Sequence, residues 1–175
     1  MLRIGIDFDN TIVDYRPVFL AAMPDAALSK AGIRDTLRAL PDGEAAWQRL
    51  QAHAYGTGIA QAPAFEGLDS FLQMARQRGA RLYIVSHKSR FAAAAPQGPD
   101  LREAAHAWLA SRKIEVDGVF FESTRKEKLA RIKVLDLTHF IDDLEDVLTD
   151  AAFPNTTRPI HFRDSWETVQ RDVFG

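Results

Sequence analysis

The chain contains no cysteine, and this absence excludes several kinds of site. Without thiols there is no disulfide framework, no thiolate nucleophile and no zinc site built on cysteine ligands. A cysteine-free composition fits a reducing compartment, so we expect a cytoplasmic protein. We expect no secretory signal either, because the N-terminus reads as a strand with acidic residues rather than a basic region followed by an apolar core.

The chain also lacks an excess of charge of one sign and any long apolar run. It has 22 Lys and Arg residues against 24 Asp and Glu residues, for a net charge of −2. This balance gives no strong positive electrostatic potential that would attract nucleic acid or an acidic membrane surface. No apolar run approaches the length of a membrane span. We therefore expect a small-molecule partner rather than nucleic acid or membrane, and the sequence leaves the oligomeric state open.

Short apolar runs recur along the 175 residues and predict the strands of one sheet. Most are continuous rather than alternating, which is typical of strands covered on both faces. Helical patterns separate most of them, so we predict an α/β fold with a parallel sheet. The predicted strands are Leu2–Phe8, Ala80–Val85, Gly118–Phe121, Thr138–Ile141 and Ile160–Phe162. The predicted helices between and after them have apolar stripes near 68–75, 101–109, 129–135, 144–148 and 166–173.

Residues 12–63 break this alternation. The segment is too long for one crossover and reads as helices over 18–30, 33–40 and 44–54, with Pro24 breaking or bending the first. We interpret it as a small helical insertion after the first strand, lying over the carboxyl edge of the sheet. The predicted division is therefore 1–11 and 64–175 for the core and 12–63 for the insertion.

Two aspartates one residue apart end the first predicted strand. Asp7 and Asp9 follow the apolar run Leu2–Ile6, at the strand edge where open α/β sheets bind ligands. Two carboxylates at one spot repel each other, and a divalent cation or a shared proton removes that cost.

Other chemically active side chains follow later elements of the same sheet. The second strand ends in Ser86-His87-Lys88, Lys126 and Lys128 open the helix after the third strand, and Asp142-Asp143 end the fourth. Carboxylates, a hydroxyl and ammonium groups together suit phosphoryl transfer, in which catalysis is mostly positioning and charge stabilisation.

In this arrangement the chain resembles the haloacid dehalogenase-like hydrolase superfamily, whose members are mostly phosphatases. Asp7-Phe8-Asp9-Asn10-Thr11 matches its first motif, Asp-x-Asp-x-Thr, and Ser86 matches the second. A lysine at 126 or 128 matches the third, and Asp142-Asp143 matches the fourth. The resemblance implies a Rossmann-like three-layer fold with sheet order 3-2-1-4-5, a small helical (C1-type) cap and Mg²⁺ as cofactor.

The resemblance also implies a role for each matching residue. Asp7 is the expected nucleophile and Asp9 the general acid/base, while Ser86 and Lys128 hold the phosphoryl group. Lys128 is preferred over Lys126 because it borders the apolar stripe formed by Leu129 and Ile132. The expected metal ligands are Asp7, the backbone carbonyl of Asp9, Asp142 and Asp143, with Asp146 as a weaker outer candidate. The expected substrate-contacting or loop-supporting residues are Thr11, His87, Lys88 and Tyr55.

These matches favour a Mg²⁺-dependent phosphatase that acts on a small phosphorylated metabolite, a nucleotide or sugar phosphate, through an aspartyl phosphate. A dehalogenase is disfavoured because Asp9, Asp142 and Asp143 would carry excess negative charge without a metal. A phosphomutase and a ligand-binding module without turnover remain alternatives. His106, His139 and His161 are expected to be structural, and the role of residues 91–99 is not readable from their Ala, Pro and Gly content.

Overall fold

The computed structural model of the protein describes residues 1–23 and 30–175. Within these residues the chain forms two compact units. The first comprises residues 1–13, 64–88 and 115–175, and the second comprises 14–63 and 89–114. The second unit thus combines most of the predicted insertion with a segment that the sequence-based division gave to the core. The division into core and inserted cap stays a prediction.

The first unit is built on a parallel sheet. Among the described residues its strands are β1 (Arg3–Ile6), β2 (Arg81–His87), β3 (Gly118–Glu122), β4 (His139–Asp142) and β5 (Arg158–His161). They lie in the order β3-β2-β1-β4-β5 with every neighbouring pair parallel. The predicted α/β fold and the strand order 3-2-1-4-5 are confirmed.

Four helices of this unit surround the sheet: α4 (Leu68–Gln77), α6 (Arg125–Val134), α7 (Glu145–Leu148) and α8 (Trp166–Phe174). Tyr83 and Val85 of β2 and Phe140 of β4 pack with Leu129 and Ile132 of α6 in one buried cluster. This burial follows from the continuous apolar runs, because every second side chain of a strand faces the same helical layer.

Local signals in the sequence explain where several of these elements begin and end. Gly79 adopts a left-handed conformation (φ 68°) just after α4, as a glycine after a helix often does. Thr124 and Ser165 cap α6 and α8 through their side-chain oxygens, which accept from the amides of Glu127 and Thr168.

The second unit contains α1 (Arg16–Ala22), α2 (Lys30–Arg38), α3 (Gly43–Tyr55), a 3-10 helix (Thr57–Gln61) and α5 (Leu101–Ser111). Phe19 stacks on Trp47 with ring centroids 5.6 Å apart, and Trp108 donates from Nε1 to the carbonyl of Ala62 at 2.9 Å. The predicted helix over 18–30 begins earlier, because Pro17 fits the first helical turn. The bend expected at Pro24 lies outside the described residues.

Across the part of the chain that the structure describes, no helix is both long enough and apolar enough to cross a bilayer.

Candidate active site

The loop after β1 carries the two aspartates of the first motif. The amide of Asp7 donates to the carbonyl of Ile141 at 2.8 Å, which ties the end of β1 to β4. The chain then turns, with Asn10 in a left-handed conformation (φ 61°) and the amide of Val13 donating back to the carbonyl of Phe8. Asparagine tolerates this conformation better than most residues. The turn keeps both aspartates at the carboxyl end of the strand.

The end of β4 brings a second acidic pair to the same place. Ile141 is the register partner of Ile6, so the residues that follow the two strands are neighbours. One oxygen from each of Asp7, Asp142 and Asp143 lies within 4.8 Å of the other two. Asp142 is fully buried, and the amide of Leu144 donates to its Oδ1 at 2.9 Å. The topology therefore converts two distant acidic motifs into one carboxylate cluster.

Lys128 joins the two acidic motifs. Its Nζ lies 2.6 Å from Oδ1 of Asp7 and 2.7 Å from Oδ2 of Asp142, and its side chain is only 3% exposed. Lys126, the alternative lysine of the sequence analysis, lies exposed on the same helix. The first turn of α6 thus turns one lysine to the carboxylates and the other to solvent.

Lys88 contacts the other aspartate of the first motif. Its Nζ lies 2.9 Å from each carboxylate oxygen of Asp9. The side chain of Lys88 is 2% exposed and that of Asp9 is 20% exposed. The sequence predicts that Lys88 contacts the substrate. It does not predict the pairing with Asp9, because nothing in the local sequence shows that residues 79 positions apart meet.

Burial and the neighbouring charges shift the proton affinities of this cluster. Burial raises the pKa of Asp7 to about 8; the Lys128 ammonium opposes the rise, and the carboxylates of Asp142 and Asp143 add to it. Burial by itself lowers the pKa of Lys128, but Asp7 and Asp142 outweigh it and leave the pKa above its usual value. The lysine alone therefore does not make Asp7 a fully ionised carboxylate at neutral pH.

The donor set fits a divalent cation. With all six groups ionised, the carboxylates of Asp7, Asp9, Asp142 and Asp143 outnumber the ammonium groups of Lys88 and Lys128 by two charges. Carboxylate oxygens are the ligands that Mg²⁺ prefers. A cation among Asp7, Asp142 and Asp143 would remove both the charge excess and the obstacle to ionising Asp7.

Two further side chains support Asp143. Oγ1 of the buried Thr11 lies 3.5 Å from Oδ1 of Asp143, which links the first motif to the fourth. Nε2 of His161 donates to the carbonyl of Asp143 at 3.1 Å. The sequence predicts a structural role for His161. The signal that could have drawn attention to it is its position at the end of β5, in register with Asp142.

The remaining predicted residues lie in different surroundings. Ser86 is buried near the end of β2, opposite Phe121 of β3. His87 is exposed and its Nε2 donates to the carbonyl of Ser123 at 3.0 Å. Tyr55 belongs to the second unit, where its ring packs edge-on against Tyr15 at 4.8 Å. Asp146 is exposed on α7.

Solved structures share this fold over nearly the whole chain. A hydrolase from Streptococcus pneumoniae TIGR4 superposes with a TM-score of 0.63 at 15% identity, over 98% of this chain and 97% of that one. A predicted phosphatase from Clostridium acetobutylicum gives 0.61 at 11% identity, over 98% and 97%. A haloacid dehalogenase-like family hydrolase from Streptococcus pneumoniae gives 0.58 at 14% identity, over 98% of each chain.

The chain has the fold of the haloacid dehalogenase-like hydrolases. The resemblance predicted from the four motifs is thereby confirmed for the fold. No protein-family model matches the chain, and no curated protein matches its sequence. Because the identities are 11–15%, the likeness shows the fold alone, and an activity has to be inferred from the side chains of this chain's own site.

Proposed function

We propose that the protein is a Mg²⁺-dependent phosphatase that hydrolyses a small phosphorylated metabolite through an aspartyl phosphate. The observation that carries the proposal is the cluster of Asp7, Asp142 and Asp143 with Lys128 bonded to two of its carboxylates. A buried carboxylate beside a fixed ammonium and further oxygen ligands is what phosphoryl transfer to an aspartate requires.

In the first proposed step an oxygen of Asp7 attacks phosphorus, and the bond from phosphorus to the leaving oxygen breaks. Asp9 gives its proton to the leaving oxygen, so that the alcohol departs neutral. Lys128, held against Asp7, stabilises the charge on the phosphoryl oxygens. Ser86, buried at the end of the neighbouring strand, is the proposed hydrogen-bond donor to one of these oxygens.

In the second step water attacks the phosphorus of the aspartyl phosphate. Asp9, now a carboxylate, takes a proton from the water as its oxygen bonds to phosphorus. The bond between phosphorus and the Asp7 oxygen breaks, which releases inorganic phosphate and restores the Asp7 carboxylate.

The proposed Mg²⁺ ligands are Asp7, Asp143, the carbonyl of Asp9 and, directly or through water, Asp142. When bound, the ion supplies charge neutralisation for the carboxylates and the phosphoryl group. The chain's own residues supply the nucleophile, the proton donor and the ammonium groups.

The proposed substrates are nucleotide or sugar phosphates. Support for this substrate class comes from the resemblance to small-capped haloacid dehalogenase-like hydrolases. The likeness to a predicted phosphatase from Clostridium acetobutylicum supports phosphatase activity in general. A panel of phosphorylated metabolites, assayed by phosphate release, would identify the substrate among them.

Hydrolysis of p-nitrophenyl phosphate tests the reaction class. We expect activity with Mg²⁺ that disappears with EDTA and in Asp7→Asn. Asp146→Asn is the matched control, because Asp146 is an exposed aspartate that follows the fourth motif. Acid quenching followed by mass spectrometry should find phosphate on Asp7. Equal hydrolysis by the wild type and Asp7→Asn would exclude Asp7 as the nucleophile.

A further inference from the structure

We propose that Lys88 is a positioning residue for Asp9, which it holds in place for proton transfer to the leaving group. The inference rests on the proposed function and deepens it. It also revises the expectation that Lys88 contacts the substrate, since its ammonium bonds to a carboxylate of the protein.

The contact is bidentate. Both oxygens of Asp9 lie 2.9 Å from Nζ of Lys88, so the carboxylate plane is oriented as well as located. When one oxygen carries a proton, the other still accepts from the ammonium. The same contact therefore holds Asp9 both before and after it gives up its proton.

The ammonium is itself fixed. The amide of Lys88 donates to the carbonyl of Glu122 at 2.9 Å, which extends the pairing of β2 with β3 beyond His87. The Nζ lies 5.3 Å from the centroid of the Phe8 ring, and that ring packs edge-on against Phe121 at 5.5 Å. The side chain of Lys88 is 2% exposed and its backbone is held in the sheet, so Lys88 reaches Asp9 from a fixed position at the end of β2.

The two buried lysines divide the aspartates of the first motif between them. Lys128 bonds to Asp7 and Asp142, whereas Lys88 bonds to Asp9. This division assigns charge stabilisation at the nucleophile to Lys128 and control of the proton donor to Lys88. An ammonium that bound the phosphoryl group directly would instead accelerate the hydrolysis of every phosphate ester to the same extent, whatever its leaving group.

The leaving group separates these two roles. p-Nitrophenolate is a stable anion and departs with little help from a proton. An alkoxide requires the proton, so hydrolysis of an alkyl phosphate depends on a well-placed Asp9. The value of kcat/KM reports the steps up to formation of the aspartyl phosphate, in which the leaving group departs.

The experiment compares kcat/KM for p-nitrophenyl phosphate and for an alkyl phosphate that the wild type hydrolyses, in saturating Mg²⁺. We expect Lys88→Met to lose about 10²-fold on the alkyl phosphate and at most about tenfold on p-nitrophenyl phosphate. Asp9→Asn should show the same bias, and Lys88→Met combined with Asp9→Asn should add little further loss. Lys88→Arg, which can also pair with both oxygens, should restore part of the alkyl phosphate activity. Lys133→Met, a change of an exposed lysine on α6, is the control.

The ratio of the two substrates within one variant does not depend on how much of the protein is folded, so a destabilised variant still gives an answer. Equal losses on both substrates, or full additivity with Asp9→Asn, would overturn the inference while leaving a phosphatase in place. If the wild type hydrolyses no phosphate ester, that result would instead contradict both the proposed function and the inference.

Discussion

Nζ of Lys128 lies 2.6 Å from a carboxylate oxygen of Asp7 and 2.7 Å from one of Asp142. One side chain therefore connects the motif after β1 with the motif after β4. Lys128 and Asp142 are 14 positions apart, but Lys128 and Asp7 are 121 positions apart. The contact depends on β1 and β4 being neighbours in the sheet.

The first prediction separates Lys128 from Lys126. Lys128→Met should lower kcat/KM on every phosphate ester by about 10²-fold or more, because a fixed charge at the transferring group is lost. Lys126→Met should change kcat/KM less than about twofold, since an exposed charge is screened by solvent. Steady-state kinetics on p-nitrophenyl phosphate measures both, and equal losses in the two variants would contradict the assignment.

The second prediction concerns the cation. A ligand that binds only the folded protein stabilises it by about 2.7 kcal/mol at a hundredfold excess over Kd. Mg²⁺ should therefore raise Tm in the wild type and in Asp146→Asn, and this rise should largely disappear in Asp143→Asn. Thermal unfolding with and without Mg²⁺, together with calorimetric titration of Mg²⁺, measures the effect. An undiminished rise in Asp143→Asn would exclude Asp143 as a ligand.

The third prediction is that Asp7, the proposed nucleophile, lowers the stability of the metal-free folded protein. The pKa of Asp7 is about 8 in the folded protein against a usual 3.8, so the folded state holds a proton that the unfolded state has lost between these values. Stability then falls as the pH rises through this window. Asp7→Asn, which cannot ionise, should be more stable than the metal-free wild type by several kcal/mol at about pH 8, because each unit of the pKa rise corresponds to about 1.4 kcal/mol.

Urea unfolding of both proteins in metal-free buffer tests this difference. The advantage of Asp7→Asn should shrink towards about pH 5, where Asp7 of the wild type is protonated. Saturating Mg²⁺ should reduce or reverse the advantage, because the ion favours the ionised aspartate of the wild type. A wild type that is the more stable protein at about pH 8 without metal would contradict the prediction.

Periodicity and strand ends predict much of the first unit. The continuous run Leu2–Phe8 contains β1, and the run 80–85 contains most of β2, because strands buried on both faces need apolar residues throughout. The meeting of Asp7 with Asp142 follows from the same reasoning, since the carboxyl ends of neighbouring parallel strands share one edge. The helical stripe of Leu129 and Ile132 predicts that Lys128 borders buried residues, and Lys128 is itself buried. Its role at the phosphoryl group stays a prediction.

Side-chain pairings between residues that are distant in the chain could not be predicted from the sequence. The approach of Lys88 to Asp9 depends on where the loop after β1 turns, which is set by the left-handed Asn10 and its hydrogen bonds. The packing of residues 89–114 with 14–63 was missed for a similar reason. The helical stripe of α5 shows that one face is buried, but it does not show which partner buries it.

The fourth prediction tests whether His161 supports the metal site through the backbone of Asp143. Nε2 of His161 donates to the carbonyl of Asp143, and Nδ1 accepts from Nε of Arg163 at 3.3 Å. Both partners are satisfied by one neutral tautomer, because a carbonyl only accepts and a guanidinium only donates. Residues that orient a ligand from behind typically contribute about 10- to 100-fold to metal affinity.

His161→Ala should therefore weaken Mg²⁺ binding by about tenfold in calorimetric titration, with KM for p-nitrophenyl phosphate unchanged at saturating Mg²⁺. His161→Gln should retain more affinity, because its amide nitrogen can reach the position of Nε2. His139→Ala is the matched control: His139 is also half-buried in the sheet, but its Nδ1 contacts Thr138 rather than an acidic residue of the site. Since β4 carries His139 at one end and Asp142 at the other, a general loosening of the sheet would weaken Mg²⁺ binding in both variants. An equal loss in His139→Ala would therefore assign the effect to the sheet rather than to the hydrogen bond at Asp143.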